Sequence, residues 1–463
     1  MTSPERPTTE EVDVVVMGLG IAGEELVGDL LDGGATVVGV ERELVGGECN
    51  NWGCVPTKMM VRAGNVLAEA RRVDVIAGRS QVQPDWAPVA RRVREEATAG
   101  WTDDATVKDF VEGGMRFVRG HARLTGPGAV RVSTADGVRD FVATRAVVLA
   151  TGTEPTVPPI DGLAGTPFWT NRDIAQLTTV PASIIVLGAG AVGLELAQIL
   201  ARFGAEVTVI EAADRVLSNE DPEASAIAQA ALEADGITIR TQLSATRVSY
   251  DDGFRVELSD GATARAERLL VAVGRTPNLG DIGLETIGLD PAASTVEVDD
   301  RLRAGDGLWA IGDITGKGEF THVGTYQARI AALDILGRPT PGADYRAVPR
   351  VVYTDPEIGA VGLTEEQASH RGIRVRIGTQ QVAKSARGWM HQAGNEGLLK
   401  LIADADRDIL VGALSAGPVG GEVLAMLTVA VRAQVPLSML RDMIYAYPTF
   451  HRGVEDALRE MSE

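Results

Sequence analysis

The chain carries two cysteines, Cys49 and Cys54, within the run Gly46-Gly47-Glu48-Cys49-Asn50-Asn51-Trp52-Gly53-Cys54-Val55-Pro56-Thr57-Lys58. Sulfurs at this spacing admit three chemistries: half of a zinc site, a short structural bridge, or a redox pair. Zinc needs further ligands, and the histidines (His121, His322, His370, His391 and His451) are scattered without ligand spacing, so no metal site is assigned. A bridge closing so small a loop would stabilise little. A thiol at the start of a helix suits redox work, because the positive end of the helix dipole favours the thiolate. The residue types therefore favour a redox pair.

The elements around that pair point to nucleotides. Val12-Asp13-Val14-Val15-Val16-Met17 is a β-branched run that predicts a strand, and Gly18-Leu19-Gly20-Ile21-Ala22-Gly23 follows at once. Helical patterning covers 24–31, and 35–41 reads as the next strand, ending on the acid Glu41. The same grammar returns with a strand at Ser183–Leu187, the turn Gly188-Ala189-Gly190-Ala191-Val192-Gly193, a helix over 194–202 and a strand over 206–211 that ends on Glu211. In such a βαβ unit the first glycine makes the turn and the second lets backbone approach a pyrophosphate. The third packs helix against strand, and the helix start offers free N–H groups. Gly18, Gly20 and Gly23 with Glu41, and Gly188, Gly190 and Gly193 with Glu211, are thus two dinucleotide sites, each acid placed to accept hydrogen bonds from ribose hydroxyls. Glu211 would repel a 2′-phosphate, which favours NAD over NADP; Arg215 is the nearby cation that could reverse this.

Residues 61–113 alternate apolar and charged positions at helical spacing, with breaks at Gly78 and Pro84. Pro339, Pro341 and Pro349 mark a linker. Beyond it 351–361, 397–402 and 409–413 read as strands, and 422–433 and 437–444 as helices, in a separate α+β domain without a nucleotide fingerprint.

A length of 463 residues suits two to four domains, and 45% hydrophobic with 23% charged residues is ordinary for a soluble globular protein. With Lys+Arg 44 against Asp+Glu 64, the net charge of −20 repels nucleic acid and anionic membrane. Residues 1–11 are polar, carry Pro4 and Pro7, lack a signal-peptide pattern and read as a frayed tail. No stretch approaches the ~20 apolar residues of a membrane helix, so a cytoplasmic location is expected. There a lone cysteine pair is redox-active or metal-binding more often than a static staple.

The run from Gly46 to Lys58 resembles the active-site signature of the class I pyridine nucleotide-disulfide oxidoreductases, the family of dihydrolipoyl dehydrogenase, glutathione reductase and mercuric reductase. Further matches stand in family order: Gly120-His121-Ala122, Ala150-Thr151-Gly152, the second fingerprint, Val273-Gly274-Arg275-Thr276-Pro277-Asn278, Ala310-Ile311-Gly312-Asp313, and Thr354-Asp355-Pro356-Glu357 with Val361-Gly362-Leu363. The resemblance implies an α/β fold of two Rossmann-like nucleotide-binding domains plus a C-terminal α+β dimerisation domain. FAD would occupy 1–154 with 277–342, NAD(P) 155–276, and the interface of a homodimer 343–463. The first fingerprint with Glu41 would hold the ADP half of FAD, and Asp313 would reach its ribityl and pyrophosphate region. Gly47, Ala122, Thr151, Gly152, Gly274 and Gly312 fall in cofactor-binding motifs. Cys54 would lie against the flavin and Cys49 would exchange with substrate, while Lys58 and Glu195 match an ion pair beside the flavin. Electrons would pass from NADH to FAD, then through Cys54 to Cys49 and an acceptor, as in enzymes of cell redox homeostasis.

The C-terminal signature of the family, His-Pro-Thr-x-x-Glu, is altered: Tyr447 stands at the His position and Arg452 at the Glu position of Tyr447-Pro448-Thr449-Phe450-His451-Arg452. The family His protonates the exchange thiol of the other subunit. A tyrosine, with a reference pKa of about 10, shuttles protons poorly near neutrality compared with a histidine at about 6.5. His451, one residue before the Glu position, is a candidate substitute. Tyrosine at this place resembles mercuric reductase, where it contacts metal, but the second cysteine pair of that enzyme is missing from this sequence. Glu48 and Trp52 replace the usual Thr and Val. Two acceptor classes therefore stand: a disulfide or dithiol, as in dihydrolipoyl dehydrogenase, or a quinone, metal species or other acceptor that needs no thiol protonation.

Overall fold

The computed structural model describes residues 9–461. They gather into two compact units. One comprises the described residues up to Pro56 with Val93–Glu154 and Arg275–Tyr345; the other comprises Thr57–Arg92, Pro155–Gly274 and the described residues from Arg346 onward.

In the first unit, Thr9–Met17 lies between Val37–Glu41 and Gly137–Leu149, parallel to both. Leu308–Ala310 and Arg116–Arg119 extend this parallel sheet on either side. Val14, Val15 and Val16 are all wholly buried. Successive strand residues point to opposite faces, so both faces of the sheet are covered. Val14 and Val16 pack with Leu26, Leu30 and Ile311 on one side, and Val15 and Met17 with Leu124 and Phe141 on the other. The hairpin His121–Gly126 and Ala129–Thr134 folds back onto Gly137–Leu149. The expected tail is shorter than its composition suggested. The first strand begins at Thr9, and Glu10, paired opposite Phe141, is held by Arg116 and Arg139. Residues 1–8 of that expectation lie outside the described residues.

Both fingerprint helices, Ile21–Asp32 and Ala191–Arg202, begin three residues before the apolar pattern that announced them. Each starts directly after the middle glycine of its turn. The helix Cys54–Ile76 begins on the second cysteine. Residues 61–113 continue through Ala87–Arg92, the π turn Val93–Ala97 and Asp104–Glu112.

The second unit holds a parallel sheet in the order Thr238–Arg240, Glu206–Ile210, Ser183–Leu187, Arg268–Val271. It also holds an antiparallel sheet in the order Pro349–Val352, Glu357–Gly362, Ile409–Gly417, Leu398–Asp404, Val375–Gln381, covered by the helices Gly420–Arg432 and Gly453–Glu460. The single strand expected over 351–361 is corrected to two antiparallel strands joined by a turn over 353–356. Pro356 has no N–H for a ladder, and the Asp355 carboxylate is drawn instead to Arg72 and Arg202. The helix expected over 437–444 ends at Asp442, where Met443 turns extended. Among the described residues, no helix is long and apolar enough to cross a membrane.

Candidate functional site

The two glycine turns are built alike. Gly18 and Gly188 both have φ +102°, and a Cβ on either would fall 2.4 Å from the Ala150 carbonyl oxygen or 2.3 Å from that of Ala272. A Cβ on Gly23 or Gly193 would fall 2.2 Å from the carbonyl oxygen of Gly18 or Gly188. The middle glycines behave differently. A Cβ on Gly190 would meet nothing within 4 Å, and one on Gly20 only the Gly47 Cα at 3.9 Å. The chain itself does not need glycine there, so the room that these positions leave fits an approaching pyrophosphate.

The acids at the strand ends also match. Glu41 accepts hydrogen bonds from the backbone N–H groups of Leu19 and Glu43, each at 2.8 Å. Glu211 accepts from Ala189 at 2.6 Å and Ala213 at 2.7 Å. One N–H per oxygen fixes each carboxylate and leaves lone pairs for ribose hydroxyls. Arg215 is engaged by its own loop, donating to the Ser218 carbonyl at 2.9 Å with Asp214 beside it. In the first helix, burial pushes the Glu24 carboxyl up to about 7, and neighbouring Glu41 adds to the effect.

The dithiol sits on a deliberate break in the helix. Gly46, with φ +91°, opens the short helix Gly47–Asn51 that carries Cys49, and Cys54 opens the long helix after it. Both sulfurs share one hydroxyl: Thr321 Oγ1 lies 3.1 Å from Cys49 Sγ and 3.5 Å from Cys54 Sγ. Thr321 is the first residue of the helix Thr321–Ile335.

A polar chain runs from the dithiol loop toward the predicted flavin residues. Glu48 lies 3.5 Å from Arg275, which donates to the Thr153 hydroxyl at 2.6 Å and to its carbonyl at 2.7 Å. The Thr153 hydroxyl in turn donates to Asp313 at 2.7 Å. Burial raises the neighbouring Glu319 carboxyl, Asp313 raises it further and Arg275 opposes them. The Gly312 N–H is held by buried Gln327 at 2.6 Å, which fixes the turn presenting Asp313. Beside Gly152 (φ +62°), the buried Thr151 hydroxyl has no hydrogen-bond partner among the described residues. An orphaned buried hydroxyl, a roomy middle glycine and a fixed Asp313 together fit a bound dinucleotide.

In the second unit, Lys58 Nζ lies 2.7 Å from Glu195, whose side chain is 3% exposed. The other Glu195 oxygen accepts the Tyr353 N–H at 2.9 Å, and the Lys58 ammonium stands 4.8 Å over the Tyr353 ring. About two turns along the same helix, Arg202 bridges Asp235 and Asp355 at 2.9 and 2.7 Å and also donates to Asn65. The cluster binds the two helices that carry Lys58 and Glu195. Tyr447 is 66% exposed, with the Arg452 guanidinium 5.4 Å over its ring. Arg452 pairs with Glu455 at 3.0 Å, and His451 Nε2 stands 3.5 Å from the Thr449 hydroxyl.

The structure thus brings Cys49 and Cys54 together, holds Asp313 near Thr153, and pairs Lys58 with Glu195. Ala122 is a core residue of its hairpin, and Gly274 (φ +127°) accepts the Thr156 N–H. Sequence reasoning missed Thr321, Thr153 and Gln327, and it quoted Arg275 without giving it a role. For Thr321 the only signal was its position at the helix start after Gly312-Asp313.

Residues 12–328 match the family model for pyridine nucleotide-disulphide oxidoreductase, and 348–458 match the dimerisation domain of the same family. The chain is 32% identical over 455 residues to dihydrolipoyl dehydrogenase of Chlorobaculum tepidum, covering 96% of each chain. It is 31% identical over 450 residues to mercuric reductase of Acidithiobacillus ferrooxidans, covering 96% of this chain and 82% of the relative. Among solved structures it is similar to the HOCl-induced flavoprotein disulfide reductase RclA from Escherichia coli, with TM-score 0.84, 27% identity and coverage of 96% and 99%. The chain belongs to the pyridine nucleotide-disulphide oxidoreductases, enzymes that use FAD and a nicotinamide dinucleotide.

Proposed function

We propose that this chain is an NAD-linked, FAD-dependent oxidoreductase whose electrons leave through the Cys49–Cys54 dithiol, acting as a cytoplasmic homodimer. The domain reading goes with it: 1–154 and 277–342 for FAD, 155–276 for NAD, and 343–463 for the interface. The observation that carries the proposal is the shared hydroxyl of Thr321, which can donate to either sulfur as its thiolate forms. Cys54 has the added support of the helix that starts on it.

When bound, FAD supplies the two-electron carrier between a nicotinamide and the dithiol. The first fingerprint, Glu41, Asp313, Thr151 and Gly152 would hold it, and the second fingerprint with Glu211 would hold NAD. Lys58, pinned by a buried carboxylate, supplies a fixed cation where negative charge is to be stabilised. The engagement of Arg215 by its own loop supports NAD over NADP.

For the acceptor, the first reading is a disulfide or dithiol couple, as in dihydrolipoyl dehydrogenase. A second reading, an acceptor that needs no proton shuttle, is favoured by the exposed Tyr447 with a permanent cation over its ring. The test is anaerobic titration of the holoenzyme with NADH, followed by an acceptor screen on wild type, Cys49→Ser and Tyr447→His. Flavin that fails to bleach with NADH refutes the proposal. Full activity in Cys49→Ser removes the dithiol from the route, and a large gain of lipoamide turnover in Tyr447→His selects the second reading.

A further inference from the structure

The dithiol loop is flanked by an aromatic pair that core packing does not require. Trp52 stacks on Trp101 with ring centroids 5.9 Å apart and planes 15° from parallel. Both residues are partly exposed. Trp52 follows Cys49 by three positions and caps the end of the helix Gly47–Asn51, its N–H donating to the Glu48 carbonyl at 2.9 Å. Trp52 thus lies within the loop between the two cysteines, two residues before Cys54.

The partner ring is delivered at a cost in backbone strain. Ala99, Gly100 and Trp101 are consecutive left-handed residues, with φ of +47°, +73° and +59°, and two of the three lack the tolerance of glycine. They follow the π turn Val93–Ala97 with Thr98 between. The segment is anchored at both ends. The buried Thr98 hydroxyl donates back to the Val93 and Arg94 carbonyls, and the buried Asp103 carboxylate accepts the Val45 N–H at 2.7 Å. Trp101 Nε1 donates to the Asn51 carbonyl at 3.2 Å, and the Asn51 amide donates to Val45 and Gly47 carbonyls, so each side of the stack is tied to the dithiol loop. Strain of this kind persists only where the surroundings over-determine it, and it collects at ligand clamps.

We propose that the Trp52–Trp101 stack is a binding platform for an uncharged, planar, electron-poor aromatic acceptor at the dithiol. The inference rests on the proposed role of the dithiol as the electron outlet and names the substrate class for it. Two near-parallel indoles offer an electron-rich, rigid face, against which an electron-poor ring stacks well. Charge argues in the same direction. The net charge of −20 repels polyanionic disulfides such as that of glutathione.

The test uses the oxidised holoenzyme and 2-methyl-1,4-naphthoquinone. Binding is read without nicotinamide by quenching of tryptophan emission, corrected for quinone absorbance, and turnover is read with NADH. Trp52→Val should raise both Kd and KM for the quinone about tenfold with a smaller change in kcat. Trp52→Phe, which keeps a ring, should lose less than threefold, and Trp101→Phe should fall between them. The phenylalanine variants keep the test open if the valine variant misfolds. Unchanged Kd and KM across all three overturn the platform, as does an equal loss of efficiency with glutathione disulfide, which marks a general structural role. Wild-type flavin that NADH cannot bleach refutes the functional proposal itself, a different failure from bleaching followed by indifferent quinone kinetics.

Discussion

The two glycine turns share their backbone closely, with Gly18 and Gly188 at the same φ of +102° and the middle glycines Gly20 and Gly190 both extended. They differ in what stands over them. The first turn is stitched to the dithiol loop. Gly20 bridges Gly46, the Gly46 N–H donates to the Leu19 carbonyl at 2.8 Å, and a Cβ on Gly47 would come within 2.9 Å of the Gly20 Cα. The second turn is also held by a loop, the Leu217 N–H donating to the Ala189 carbonyl at 3.0 Å, but among the described residues a Cβ on Gly190 would meet nothing within 4 Å. The third glycine is followed by Glu24 in the first turn and by fully buried Leu194 in the second. The cysteine loop thus packs against the middle glycine of the first cradle, whereas the middle glycine of the second keeps its room among the described residues.

Substituting the middle glycines breaks or sustains that contrast most directly. Their φ values of −69° and −79° are open to any residue, so valine there tests ligand room and not backbone strain. Gly20→Val should yield protein with little or no bound flavin after purification. Gly190→Val should keep its flavin and its melting temperature while the KM for NADH rises about a hundredfold, the order expected when a side chain fills the space for a ligand. Absorbance of the purified variants and NADH kinetics decide it. Flavin loss from Gly190→Val would mean that the two cradles are not independent.

The glycine turns were legible because their chemistry is local: three glycines, a flanking strand and an acid lie within a single βαβ unit. The dithiol was legible for the same reason. What escaped was long-range. Thr321 reaches Cys49 across a separation of 272 positions, and no periodicity marks a lone threonine at a helix start. Glu48 read as a departure from a motif until Arg275 supplied its partner. Trp101 sat in what read as helical spacing, because apolar patterning carries no sign of three successive left-handed residues. The turn over 353–356 was marked by Asp355-Pro356, a turn signal that a single strand read over 351–361 passed over because apolar residues flank it on both sides. At Tyr447 the sequence announced a missing histidine, and only the fold showed a guanidinium over the ring.

A smaller effect separates the acids. Each carboxylate holds two backbone N–H groups, so neither can be removed without loosening its own turn. The ribose contacts should nevertheless fall on different cofactors. Glu211→Ser should lower NADH efficiency about tenfold and raise that of NADPH about tenfold, because a repelling charge and a hydrogen-bond acceptor leave together. Flavin content should hold. Glu41→Ser should instead release flavin and leave the NADPH-to-NADH ratio where it was. Steady-state kinetics with both nucleotides check this, and a shift in that ratio from Glu41→Ser would cross the proposed assignment of the two sites.

Glu24 carries the smallest and most specific difference between the turns. Its carboxyl, raised from 4.5 to about 7 chiefly by burial, keeps a proton in the folded chain that the unfolded chain releases. Below about 4.5 both states are protonated and the group contributes nothing. As pH climbs from 4.5 toward 7 the unfolded state is the one that ionises freely, so stability is lost across that window and the loss is complete above it. Allowing for its partial exposure, the penalty is about 1–2 kcal/mol. Glu24→Gln should remove it, raising the melting temperature of the apoprotein by a few degrees at pH 8 and by little at pH 5. An anion seated at the same helix start should push the carboxyl up further. Flavin release from wild type should therefore grow with pH more steeply than from Glu24→Gln, whereas NADH binding at the second turn, where Leu194 stands instead, should show no matching difference. Parallel pH profiles for wild type and Glu24→Gln would mean that Glu24 is ionised throughout and solvated, and the two cradles would then differ only in the cysteine loop that packs against one of them.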